Sequence, residues 1–180
     1  MPPPRFRFRG LHPAPSRALV RAMKKSPWLP LGLFLLLAFA AAGIGTLATF
    51  SSVDTWYPTL AKPSWNPPRW VFGPVWTLLY IAMAVAAWRV WRIGSAEGAR
   101  ITFRLYGAQL ALNALWSIFF FGLRSPLLAL IDIAVLWLVL IRILARFREA
   151  DRIAALLWSA YVLWVSYAFL LNAAIWEMNR

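Results

Sequence analysis

Cysteine is absent from the 180 residues, which excludes disulfides, thiolate metal sites and cysteine catalysis. Histidine occurs once, as His12, so no apolar run carries an imidazole to ligate a metal or haem iron or to move protons. Acidic residues number six against 19 Lys and Arg. Charged residues make up only 14% of the chain, well below the roughly 25% of a soluble domain. There is also no polar stretch long enough to form a separate soluble domain. What remains is 62% hydrophobic, with 12 Trp, 12 Phe and 13 Pro. The chain reads as an all-α membrane protein.

Residues 1–26 form a basic leader in which Arg5, Arg7 and Arg9 alternate with Phe6 and Phe8, with no apolar run able to span a bilayer. This leader is expected to be disordered, and Met23, followed by Lys24 and Lys25, is a second candidate start. Residues 27–180 read as one transmembrane domain, a bundle of five helices at about 28–50, 70–92, 105–121, 126–146 and 153–176, with a loop at 51–69 and a polar, basic connection from Ile93 to Arg104. Ser125 and Pro126 suit the N-cap and first position of the fourth helix. Five spans put the termini on opposite sides. The leader's side then carries 15 basic residues and the other side four: Lys62, Arg69, Arg124 and Arg180. Basic loops favour the cytoplasmic face, so the expectation is a bacterial cell membrane with the N-terminus cytoplasmic. Topology accounts for the charge without nucleic acid.

The least generic stretch is YPTLAKPSWNPPRWVFGPVWTLLY, Tyr57 to Tyr80. Five prolines restrict its backbone while Trp65, Trp70 and Trp76 supply flat surfaces with one donor each, which suits a lid or pocket wall better than a tether. Polar groups at membrane depth usually face a bundle's interior. On the third span Gln109, Asn113, Trp116 and Phe120 recur on one face, and the small residues Gly107, Ala111 and Ala114 lie roughly opposite, suited either to packing within the chain or to a dimer. Trp164, Ala168 and Leu171 share a face of the fifth span with Asn172 at its edge; Phe72, Trp76, Leu79, Tyr80 and Met83 cover one side of the second. Asn113 and Asn172 suit helix-joining and ligand anchoring equally. Asp132, the acid embedded in the fourth span, suits a hydrogen-bonded structural role or a ligand contact. Together these residues describe an aromatic cavity with few polar anchors.

The chain resembles the TspO/MBR family, the tryptophan-rich sensory proteins also called translocator protein or peripheral-type benzodiazepine receptor. The resemblance is carried by WYPTLAKPSWNPPRWVFGPVWTLLY from Trp56, QLALNALWSIFFFG from Gln109, Asp132, and the series Trp164, Ala168, Asn172. It implies five transmembrane helices, a homodimer, and a pocket closed by the loop after the first helix. The pocket would use Tyr57, Trp65, Trp76, Tyr80, Asn113, Trp116, Phe120, Trp164, Ala168 and Asn172. It implies porphyrin as the ligand, with sterols and benzodiazepine-type compounds bound by some members and no required cofactor. Lys62 and Arg69 would then meet porphyrin carboxylates. The sterol motif of animal members is degenerate here, since Ala173 follows Asn172 and Glu177 stands at the arginine position. The expected function is a porphyrin-binding membrane receptor or sensor. A porphyrin transporter is the first alternative. A light- or oxygen-dependent porphyrin-degrading enzyme is the second, with no catalytic residue assigned.

Overall fold

The computed structural model describes residues 28–180; the basic leader, with His12 and the Met23 start, lies outside them. Five long helices follow in order: α1 Leu29–Phe50, α2 Arg69–Ile93, α3 Ala96–Ser117, α4 Pro126–Ala150 and α5 Arg152–Met178. Each is long and apolar enough to cross a membrane, so the chain is a multi-pass integral membrane protein. No strand occurs among the described residues.

Local chemistry sets the helix starts. Pro30 opens α1, where its missing amide costs nothing. Ser125 accepts from the Leu128 amide ahead of α4, and Asp151 accepts from the Ala154 amide at 2.7 Å ahead of α5. α3 begins at Ala96, well before the predicted residue 105, because Ser95 accepts from the Gly98 amide and Arg100 pairs with Glu97 at 2.8 Å. A capped helix with an i,i+3 ion pair needs no apolar face to form its first turns, so hydropathy alone missed them. Beyond Ser117, α3 widens into a π-helical turn, Ile118–Gly122, closed by the Leu123 amide on the Ile118 carbonyl at 2.8 Å. The wide turn displaces three consecutive phenylalanines from the α-helical register.

The core is made of close-packed small and aromatic residues: Ala38 on α1 and Met83, Ala84 and Ala87 on α2 are fully covered, as are Trp158 and Tyr161 on α5. The outer faces are equally apolar, with Leu36, Leu47, Leu78, Leu138 and Leu163 exposed. Such a surface is a liability in water and the expected one against acyl chains. At the basic end, Arg89 holds Asp151 through two bonds of 3.1 and 2.8 Å, fastening α2 to the α4–α5 corner. That guanidinium, helped by the Ala154 amide, holds the Asp151 carboxyl below the usual carboxylate range.

Candidate functional site

Between the helices, at the end away from the Arg89–Asp151 pair, lies a cavity of about 720 Å³, within the roughly 300–1,000 Å³ typical of small-molecule sites. One stripe of each of four helices lines it. Trp76 and Tyr80 come from α2, Asn113 and Trp116 from α3, Phe120 from the π-helical turn, and Trp164, Ala168 and Asn172 from α5, while Tyr57 closes it from the loop. Thus nine of the ten side chains expected from the sequence meet around one space. Trp65 does not. It is 47% exposed, sits edge-on to Tyr167 at 5.6 Å, and its carbonyl accepts from the Tyr167 hydroxyl at 2.8 Å.

The lining is dominated by rings in contact. Trp116 stacks on Phe120 at 5.2 Å, Trp76 lies 5.5 Å from Tyr80, and Phe72 meets Trp164 edge-on at 6.0 Å. The π-helical turn aims both Phe120 and Phe121 at the Tyr57 ring, 6.2 and 5.7 Å away. Polar atoms are largely consumed by one another. Tyr80 donates to Asn113 at 2.7 Å, Asn113 donates to Tyr161 at 3.1 Å, and Tyr161 donates to the Gln109 carbonyl at 3.0 Å. The Trp116 indole donates to Asn172 at 2.9 Å, whose amide donates to the Pro126 carbonyl. Asn113 and Asn172 therefore join helices while also facing the cavity.

The cationic lining group is Arg69, which pairs with Asp54 at 2.7 Å and remains more than half exposed. Lys62 points elsewhere. Its ammonium donates to the carbonyls of Tyr57, Pro58 and Leu60 at 2.8, 3.3 and 2.6 Å and lies 4.9 Å from the Tyr57 ring centre. It is a clip for the loop and does not line the cavity. Further ties hold that loop down: Asn179 makes two bonds to the Ala61 backbone, and the Tyr57 hydroxyl donates to Asn66 at 2.9 Å. Burial pushes the Tyr57 phenol above its ordinary range, keeping it a neutral donor.

Other expected residues lie outside the cavity. Gln109 is fully buried in the hydrogen-bond chain. Asp132 is buried on α4, which contributes no lining residue, and its Oδ2 has no hydrogen-bond partner. Gly107 and Ala111 are exposed on the bundle's outer surface, while Ala114 is buried within the chain. Among the described residues, no three His, Cys, Asp or Glu side chains gather as metal ligands would. The α1 wall, with Phe39, Ala42, Thr46 and Thr49, was missed; its one signal is the pair of threonines, the polar side chains of an otherwise apolar helix, which both fall on the cavity face. Tyr161 was legible: it stands at i−3 from Trp164 and i−7 from Ala168, on the face already identified.

The TspO/MBR family matches residues 33–177, a span containing all of these cavity residues from Phe39 to Asn172. The chain belongs to the TspO/MBR family. It is 40% identical over 152 residues to the tryptophan-rich protein TspO of Chlorobaculum tepidum, covering 84% of this chain and 96% of that one. It is 38% identical over 147 residues to the tryptophan-rich sensory protein of Cereibacter sphaeroides (82% and 91%) and 35% identical over 156 residues to the translocator protein of Homo sapiens (86% and 92%). This TspO/MBR chain thus matches bacterial and animal relatives over more than four-fifths of its length.

Proposed function

We propose that this TspO/MBR protein is a membrane receptor or sensor that holds porphyrins and similar flat, acid-bearing amphiphiles in the aromatic cavity. The observation that carries the reading is the convergence of Trp76, Trp116 and Trp164 on one space with Arg69 at its rim. Indole faces match a planar π-system, and a guanidinium matches peripheral carboxylates. The relatives' names, sensory and translocator, support a role in which the bound molecule is a signal or a cargo. Titrating the purified chain with protoporphyrin IX in the dark is expected to give saturable shifts in porphyrin absorbance. A response that stays linear with concentration contradicts the reading. The crowding of basic residues at the end away from the loop supports a cytoplasmic N-terminus. A phosphatase fused after Arg180 is then active on the non-cytoplasmic side; activity confined to the cytoplasmic side reverses the orientation.

A further inference from the structure

The cavity has two possible approaches, from water through the loop or from the bilayer between helices, and the structure treats them unequally. The water side is fastened. The loop from Val53 to Pro68 is clipped by Lys62, tied to α5 through Asn179 and Tyr167, and joined to the α3–α4 turn, where Arg124 donates to the buried Ser52 hydroxyl. Apart from the Lys62 clip, these bonds come from two other elements, the α5 end and the α3–α4 turn.

The flank between α1 and α2 is different. In its lower half the helices interlock, with Ala38, Met83, Ala84 and Ala87 covered and Phe39 against Tyr80 at 6.4 Å. Above that ring pair the facing stripes are small: Ala42 and Thr46 on α1, Gly73 and Thr77 on α2. All four line the cavity and none is buried. Small residues normally let membrane helices touch. Here the space in front of Gly73 is empty: a Cβ placed on it would meet nothing within 4 Å. On its other side α1 leans against α3, where a Cβ on Gly45 would lie 3.1 Å from the Ser117 hydroxyl. Thus the loop-side half of α1 touches α3 at Gly45, while the face of α2 at Gly73 is left open. The hydroxyls along the gap are also spent, Thr46 on the Ala42 carbonyl and Thr77 on the Gly73 carbonyl, each at 2.9 Å, so the crevice presents methyl and methylene groups. Pro74 withholds the amide that would bond the Trp70 carbonyl, loosening the first turn of α2 beside the gap.

We infer that the ligand reaches the cavity from within the bilayer, through the crevice between the loop-side halves of α1 and α2. The inference rests on the proposed binding of a flat acidic amphiphile. Arg69 and the exposed Trp70 mark the top of the crevice, at the first turn of α2 where cationic and indole side chains meet a headgroup layer. An amphiphile lying in the leaflet therefore moves sideways, its carboxylates staying at the level of Arg69 while its ring slides between Thr46 and Thr77. No charge has to enter hydrocarbon, which would be the costly step. The partner class is a bilayer-partitioned planar acid, delivered by lipid.

Two readouts on the full chain in phospholipid nanodiscs test this. The chain has no native cysteine, so a nitroxide on Thr77→Cys reports locally. It should collide freely with oxygen, which concentrates in the bilayer, and poorly with a water-soluble nickel chelate. Dominant nickel access overturns the inference. Separately, Gly73→Phe, which fills the crevice, should slow protoporphyrin IX association by about tenfold. Gly73→Ala and the loop-loosening Asn179→Ala should leave association unchanged. Unchanged association in Gly73→Phe, with acceleration in Asn179→Ala, means access through the loop and overturns the inference. Failure of the unmodified chain to bind saturably defeats the porphyrin reading instead, and the nitroxide result then decides the crevice alone.

Discussion

Replacing Trp164 with alanine is expected to weaken protoporphyrin IX binding by about thirtyfold, roughly 2 kcal/mol. Its ring lines the cavity from α5, meets Phe72 edge-on at 6.0 Å and lies 5.7 Å from Tyr167, so truncation removes a wall and leaves its neighbours without a packing partner. Among the described residues the Trp164 indole bonds to no neighbouring helix, in contrast to Trp116, Trp137 and Trp158, which donate across helices. Helix assembly should therefore survive, and a thermal midpoint close to that of the unsubstituted chain separates lost binding from lost fold. Trp164→Phe keeps a ring and is expected to recover most of the affinity. Equal affinity in the alanine variant would remove this residue, and with it the α5 wall, from the site.

Loosening the loop should have the second largest effect. Lys62→Met keeps the aliphatic stem but deletes three bonds to backbone carbonyls, freeing the turn that presents Tyr57 to the cavity. Affinity is expected to fall by about tenfold as the loop's ordering entropy is added to the cost of binding. The charge itself is not the cause, and that is testable. Lys62→Met should weaken protoporphyrin IX and its dimethyl ester alike, whereas Arg69→Ala should weaken the acid and spare the ester. If Lys62→Met spares the ester, the ammonium meets a ligand carboxylate after all, as its place in the sequence beside the mouth suggests.

The architecture was legible because a bilayer imposes it: apolar runs of span length, separated by basic turns and by Ser125-Pro126, leave little choice of element or boundary. The exception, the early start of α3 at Ala96, arises where the helix leaves the apolar window and polar pairing takes over. Cavity residues were readable wherever a helix had to hide polar or aromatic groups from lipid, as with Asn113 and Trp116. On α1 the signal was faint, since only Thr46 and Thr49 distinguish its cavity face from an otherwise apolar helix. Direction along a loop was also beyond the sequence. Lys62 and Arg69 have the same charge and lie seven positions apart, yet one turns back to its own backbone and the other lines the cavity.

The central claim is that one flat acidic molecule sits among Trp76, Trp116 and Trp164. An experimental structure of the protoporphyrin IX complex in lipid tests it most directly. The expected result is a single porphyrin ring in the cavity, against Trp76 and Trp164, with a carboxylate within hydrogen-bond distance of Arg69. A porphyrin found on the outer surface, or at the basic end near Arg142 and Arg146 with the cavity holding none, would contradict it.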